Sequence, residues 1–285
     1  MTADLWPAPT GAPTTTAGRE GLAALLAAPE RAVIGLDFDG TLAPIVPDPE
    51  DARAHPGAVR GLALVAPRLG RLAIVTGRPA ARAVEYSGIR GRAGLERMSV
   101  LGHYGRERWD AETDELTAPE PAPGVAVARA ALPALLAELG VVGAYLEDKG
   151  SAVAVHTRRS PDPAAAMDRL REPLGALAGA NALVVEPGRH VLELRPPGVD
   201  KGGALRTLAA EAAAPGPSAV VFVGDDLGDL AAYDAVDALR AEGVPGLLVC
   251  SGSDEVVELA RRADVVVDGP AGVVQWLEGL ALALG

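Results

Sequence analysis

Two carboxylates one residue apart, Asp37 and Asp39, end the apolar run of "VIGLDFDGTLAPIV". Burying carboxylates is costly unless they are paired or hold a metal, so their place at the end of a strand-like segment points to chemistry rather than stability. The same juxtaposition recurs along the chain. "VTGRP" sets Thr76 and Arg78 after another apolar run, Lys201 opens a helical stretch, and "GDDLGD" places Asp225, Asp226 and Asp229 after "AVVFV". Converging carboxylates suit magnesium, a hard cation that takes oxygen ligands and keeps positions open for water and phosphate. A carboxylate beside it can attack phosphorus and form an aspartyl-phosphate. The metal and Lys201 then neutralise the transferring group. In such chemistry Thr76 hydrogen-bonds a phosphoryl oxygen, while Asp39 protonates the leaving oxygen and later takes a proton from water. A lone DxD after a strand is an ordinary turn; the ordered set is the signal.

Residues so far apart in sequence meet only if the elements before them run side by side. Short β-branched runs bounded by turn residues are expected as strands at 32–36, 72–75, 99–101, 219–223, 246–249 and 265–267. Helical stretches at 56–67, 79–86, 202–213 and 227–241 separate most of them, after a short helix at 22–28. Near-continuous apolar strands alternating with helices indicate a parallel sheet covered on both faces, a doubly wound, Rossmann-like α/β core. Ligands bind at the carboxyl ends of such strands, and Asp37 and Asp39 project to one side because strand side chains alternate. The middle of the chain changes rhythm: helix at 124–139, "AYLED" and "AVAVHT" as a strand pair, helix at 163–178, then "ALVVE" and "VLELR". That αββαββ unit is bounded by the Pro/Gly-rich "TAPEPAPG" and "RPPGVD", as expected of an inserted domain. The expected division is a flexible tail at 1–18, a core at 19–117 and 197–285, and a cap at 118–196.

A chain of 285 residues with 49% hydrophobic content can build one large or two modest cores. A net charge of -12 without clustered basic residues argues against nucleic acid or an anionic membrane as partner. The single cysteine, Cys250, forms no internal disulfide and, behind "GLLV", reads as a structural strand residue. No basic leader and no apolar span of about 18 residues is present, so a soluble, cytoplasmic location is expected. Of the 26 basic residues only two are lysines, Lys149 and Lys201.

"DFDGTLAPI", Thr76, Lys201 and "GDDLGD" resemble the four motifs of the haloacid dehalogenase superfamily of phosphatases, with the cap between the second and third. The resemblance covers nearly everything from Arg31 onward. It implies Asp37 as nucleophile and Asp39 as general acid and base. Magnesium would be held by Asp37, the main-chain carbonyl of Asp39 and Asp225, with Asp226 and Asp229 in its outer sphere. "LDFDGTLAPI", "VTGRP", "EDKGSAVAVHTR", "GRHVLELRPPGVDKGGAL" and "FVGDD" are similar, more narrowly, to the trehalose-6-phosphate phosphatases. In that family a Glu-x-Lys pair and a further Glu of the cap hold the sugar, here Glu147, Lys149 and Glu193. Carboxylates accept from sugar hydroxyls and an ammonium donates to them. Both lysines thus fall on site positions, where a compact point charge differs from a guanidinium. His156 and Arg195 on the same cap segments, and Arg78 and His103 at the core rim, complete the expected substrate contacts.

The activity implied is magnesium-dependent hydrolysis of trehalose 6-phosphate in trehalose biosynthesis, with a functional link to a trehalose-6-phosphate synthase. A related capped phosphatase acting on sucrose phosphate or a glycosyl phosphoglycerate, and a non-catalytic phosphosugar sensor, remain open. The sensor is raised by Gly228, which stands where the family has a threonine. A signalling receiver domain shares the aspartyl-phosphate chemistry but has neither the size nor the inserted unit.

Overall fold

The computed structural model describes residues 6, 11–188, 190–252 and 257–285; residues 1–5 and 7–10 of the stretch read as a tail lie outside them. The chain divides into two compact units, Met1–Thr117 with Asp200–Gly285, and Ala118–Val199.

In the larger unit the chain runs through α1 (Thr16–Ala27), β1 (Val33–Leu36), α2 (Ala58–Val65), β2 (Arg71–Val75), α3 (Ala80–Ser87), β3 (Met98–Gly102), β4 (Glu107–Asp110) and β5 (Glu115–Thr117). After the second unit, with its two helices (α4, Pro123–Glu138; α5, Pro163–Ala180) and four strands (β6, Tyr145–Asp148; β7, Val153–His156; β8, Val184–Gly188; β9, Val191–Arg195), it resumes with α6 (Lys201–Ala210), β10 (Val220–Gly224), α7 (Leu230–Ala241), β11 (Gly246–Gly252), α8 (Val257–Arg262), β12 (Val265–Asp268) and α9 (Gly269–Leu284). These strands form one sheet in the order β12-β11-β10-β1-β2-β3-β4-β5. Pairing is parallel from β12 to β3, with β1 between β10 and β2. Alternate residues of the inner strands serve opposite faces. Ile34, Leu36, Ile74, Val221 and Val249 pack with α1, α2 and α9, whereas Val33, Val75, Phe222 and Cys250 pack with α6 and α7. Both faces are dry, which is why these segments are continuously apolar. Burial also pushes the Cys250 thiol up to about 11, so it stays protonated and inert.

Two features depart from the sequence reading. The sheet does not end at β3: β4 and β5 add an antiparallel hairpin, in which Trp109 is buried and its Nε1 donates to Asp114 Oδ1 at 2.8 Å. Thr16 to Gly18, read as the end of a flexible tail, form the first turn of α1. Thr15 Oγ1 accepts from the Gly18 amide at 2.9 Å and caps the helix, the Thr14 amide donates to Asp264 O at 2.8 Å, and Leu22 and Leu25 are buried. Upstream, Trp6 is buried and stacks on Trp276 of α9 with centroids 6.1 Å apart.

The smaller unit contains α4 (Pro123–Glu138), β6 (Tyr145–Asp148), β7 (Val153–His156), α5 (Pro163–Ala180), β8 (Val184–Gly188) and β9 (Val191–Arg195). Its antiparallel sheet has the order β6-β7-β9-β8. Both helices cover one face, burying Val153, Val155, Leu192 and Leu194 against Val125, Leu132, Leu170 and Leu174. Residues of opposite parity, among them Tyr145, Glu147, His156, Glu193 and Arg195, therefore share the other face. This unit runs on to Val199, whose carbonyl accepts from the Arg195 guanidinium. Among the described residues no helix is long and apolar enough to cross a membrane.

Candidate active site

β1 delivers Asp37 to the middle of the sheet's carboxyl edge. Its amide still donates to Val223 O at 2.8 Å, so the carboxylate leaves the sheet one residue past the last paired position. Phe38 turns into the core, and the chain folds back with the Ala43 amide donating to Phe38 O at 2.8 Å and the Gly40 amide to Ala43 O at 2.7 Å. Gly40 adopts φ +73°, and a Cβ there would lie 1.9 Å from Asp225 Oδ2. Only glycine lets the loop pass the carboxylate this closely. Ser251, at the end of β11, ties the loop down by donating to Gly40 O at 2.7 Å. The rule that picked out Thr76 and Asp225, a polar residue closing an apolar strand, applies equally to Ser251.

Lys201 Nζ lies 2.8 Å from Asp37 Oδ1 and donates to Asp229 Oδ1 at 2.7 Å. An ammonium at the first residue of a helix opposes the helix dipole, so its carboxylate partners must hold it there. Asp200 caps that helix through the Gly203 amide at 2.8 Å. Asp229 Oδ2 accepts the amides of Asp225 and Asp226 at 2.8 and 3.1 Å. Asp229 is thus placed without help from residue 228, and Gly228 contributes its amide to Asp226 Oδ1 at 2.8 Å. Asp226 is exposed and serves as the cap of that turn.

Asp37, Asp225 and Asp229 each offer an oxygen within 4.8 Å of the others, and all three are buried. Fully ionised, the three carboxylates would outnumber the one ammonium among them by two negative charges. Burial, reinforced by Asp37 and Asp229, pushes the Asp225 carboxyl up to about 10. Burial also raises Asp37, with Lys201 opposing and the other aspartates adding to the rise. For Lys201 burial works against the charge, but Asp229 and Asp37 outweigh it and hold the ammonium well above its ordinary value. A hard divalent cation matches both the charge surplus and the all-oxygen donor set.

Asp39 is gripped by Arg78, whose Nε and Nη2 each donate to one of its oxygens at 2.7 Å. The guanidinium also lies over the Tyr86 and Phe38 rings at 5.3 and 5.7 Å. Thr76 is buried at the end of β2 and accepts the Arg78 amide at 3.2 Å through Oγ1. His103 is buried after β3, its amide donating to Arg78 O at 2.9 Å and its Nε2 lying 3.5 Å from Glu107 Oε1. Glu107 Oε2 in turn accepts the Ala80 amide at 2.7 Å and caps α3. Its strand was absent from the sequence reading, and so was this role.

In the smaller unit the remaining candidates form their own cluster. Lys149 Nζ donates to Glu193 Oε2 at 2.5 Å and lies 4.0 Å from Glu147 Oε2. His156 Nε2 is 2.7 Å from the same Glu147 oxygen. Arg195 reaches Glu186 Oε2 at 2.7 Å. Oε1 of Glu193 is buried without a hydrogen-bond partner among the described residues, a cost of about 1–3 kcal/mol that a ligand hydroxyl would remove.

A mainly parallel sheet in a chain interrupted by an α+β unit is a fold this protein shares with solved haloacid dehalogenase-like hydrolases. One such protein from Bacteroides thetaiotaomicron superposes with a TM-score of 0.54 at 17% identity, over 87% of this chain and 98% of its own. The C-terminal domain of the Candida albicans trehalose-6-phosphate phosphatase superposes with a TM-score of 0.74 at 20% identity, over 96% and 99% of the two chains. In sequence, residues 35–265 match the trehalose-phosphatase family model. The trehalose-phosphate phosphatase of Mycobacterium avium is 33% identical over 280 residues, which is 96% of this chain and 66% of that protein. The chain belongs to the trehalose-phosphatase family. It spans just under two thirds of the length of this relative.

Proposed function

We propose that the protein hydrolyses trehalose 6-phosphate to trehalose and phosphate with magnesium as its cofactor. The observation that carries the reading is the buried cluster of Asp37, Asp225, Asp229 and Lys201, whose converging carboxylate oxygens, once ionised, suit a divalent cation at the end of the central strand. Family membership supplies the sugar phosphate. Asp37, Asp225 and the main-chain carbonyl of Asp39 would hold the ion. Bound there, magnesium supplies neutralising charge to the phosphoryl oxygens.

The chain's own groups perform the rest. An Asp37 oxygen forms a bond to phosphorus as the bond from phosphorus to the sugar oxygen breaks, and Asp39 gives that oxygen a proton. Asp39 then takes a proton from water, whose oxygen attacks the aspartyl-phosphate and releases phosphate and free Asp37. Lys201 Nζ, 2.8 Å from Asp37 Oδ1, stabilises charge on the transferring group, and Thr76 Oγ1 bonds one of its oxygens. Arg78 orients Asp39 through one lone pair on each oxygen and leaves others for the proton. The polar face formed by Glu147, Lys149 and Glu193 takes the disaccharide, with the smaller unit acting as a cap that excludes water. A synthase that makes trehalose 6-phosphate is the functional partner, and the cytoplasm is the compartment where both act.

The test is phosphate release from trehalose 6-phosphate, sucrose 6-phosphate and glucose 6-phosphate, with and without magnesium. A magnesium-dependent preference for trehalose 6-phosphate is expected. Preference for another member would overturn the sugar assignment, and magnesium-independent turnover would overturn the cofactor.

Magnesium binding has a pH signature. Asp225 has an ordinary value of 3.8, raised to about 10 in the metal-free fold. Between these limits the native state holds a proton that the unfolded chain has lost. Its contribution to stability is complete below the lower value and disappears as pH rises through the upper one. Magnesium displaces that proton, so its stabilising effect grows with pH. The rise in Tm on adding millimolar magnesium is expected to be several degrees larger near about pH 8.5 than near about pH 6. Equal shifts at both would mean that the ion binds elsewhere.

A further inference from the structure

Glu147, proposed above to hold the sugar, needs a fixed orientation to do so. It lies on β6, an edge strand of the smaller unit's sheet, next to the strand's last residue, and its side chain is 32% exposed. Ordering a carboxylate before substrate arrives avoids an entropic cost on binding. One of its neighbours supplies such a hold. His156 Nε2 meets Glu147 Oε2 at 2.7 Å. The imidazole is itself held, because β6 and β7 pair Tyr145 directly opposite His156 and the two rings stack with centroids 4.6 Å apart and planes 7° from parallel. The Arg159 guanidinium lies over the Tyr145 ring at 4.4 Å.

We propose that His156, locked by the Tyr145 stack, is a positioning residue that fixes Glu147 for the sugar and so sets specificity without touching phosphate. This deepens the functional reading above and rests on its placing the sugar against Glu147, Lys149 and Glu193. In the tautomer that fits, Nε2–H donates to the carboxylate, an acceptor-only group that also binds sugar hydroxyls. Lys149, 4.0 Å from the same oxygen, is too far for a normal hydrogen bond and adds only charge. Tyr145 acts one step further out, through the plane of the ring.

The test compares KM and kcat for trehalose 6-phosphate with those for 4-nitrophenyl phosphate, which carries no sugar. His156→Leu is expected to raise KM for the sugar phosphate about tenfold, the value of one charge-assisted hydrogen bond, with kcat and both aryl phosphate constants within about twofold of wild type. His156→Gln, whose amide nitrogen approximates Nε2, is expected to recover most of the loss. Tyr145→Phe is expected to be silent, because stacking needs only the ring, and Tyr145→Leu to act like a weaker His156→Leu. Equal loss on both substrates, a Gln variant no better than Leu, or an unchanged KM in His156→Leu would each overturn the proposal. Melting curves separate a packing role, which lowers Tm and harms both substrates alike. Failure of the functional reading shows earlier, in wild-type protein that prefers another sugar phosphate, on which the His156 comparison is then made. Turnover of no sugar phosphate would overturn both.

Discussion

Asp37→Asn is expected to lower kcat by about four orders of magnitude or more, the usual consequence of losing a nucleophile, while making the metal-free protein more resistant to heat. The two effects share one cause. Burial holds the Asp37 carboxyl well above its ordinary value, so its charge opposes folding at neutral pH, and a neutral amide of the same shape removes that opposition. The Asn oxygen still accepts from Lys201, which keeps Asp229 as an ionic partner at 2.7 Å. On the proposed mechanism the rate falls because an amide does not displace a sugar oxygen from phosphorus. Phosphate release and melting curves in chelator provide the measurement. Near wild-type turnover would overturn the covalent mechanism, and a lowered Tm would show that Asp37 supports the fold rather than straining it.

Lys201→Ala is expected to reduce both activity and stability. The ammonium lies between the buried carboxylates of Asp37 and Asp229, at 2.8 and 2.7 Å. Removing one partner from a buried ionic group leaves uncompensated charge and costs about 3–5 kcal/mol. Losing one preorganised donor to the developing charge lowers kcat by about 100- to 1,000-fold. Denaturant titration and steady-state kinetics give the two numbers. Magnesium is expected to restore part of the stability, because it supplies positive charge to the same carboxylates, and none of the lost rate. Neighbours 2.8 Å apart thus carry stability effects of opposite sign. A Lys201→Ala protein as stable as wild type without metal would mean that Asp37 and Asp229 are protonated at rest.

Much of this was legible from residue type and order. β1 reads directly from its apolar run because both faces of a parallel sheet are buried, and the acidic pair of "DFDGT" stands out because carboxylates closing an apolar segment are costly without a partner. The αββαββ rhythm of the middle segment was equally plain, since its strands alternate where the core strands do not. β4 and β5 were missed. "ERWD" and "ELT" are short and polar, and a strand at the edge of a sheet needs neither a continuous apolar run nor a long one. The helical start at Thr16 was missed as well, because its stability comes from Asp264, 249 residues further on, through the Thr15 hydroxyl.

What lay beyond the reach of any linear reading was pairing. Chain order sets which residues close the strands, because the 2-residue period and the parallel topology send Asp37, Thr76 and Asp225 to one edge. It does not set which side chain finds which. The sequence does not tell that the β1–β2 register of Leu36 with Ile74 brings the Arg78 guanidinium onto Asp39. Nothing in its own segment tells that Lys201 reaches Asp229 across 28 positions, or that the β6–β7 register lays the His156 ring on Tyr145 and its Nε2 on Glu147. Periodicity is a local property, carried by each segment alone. Hydrogen bonds and ion pairs act over about 3 Å, and only the folded chain brings groups from separate segments that close.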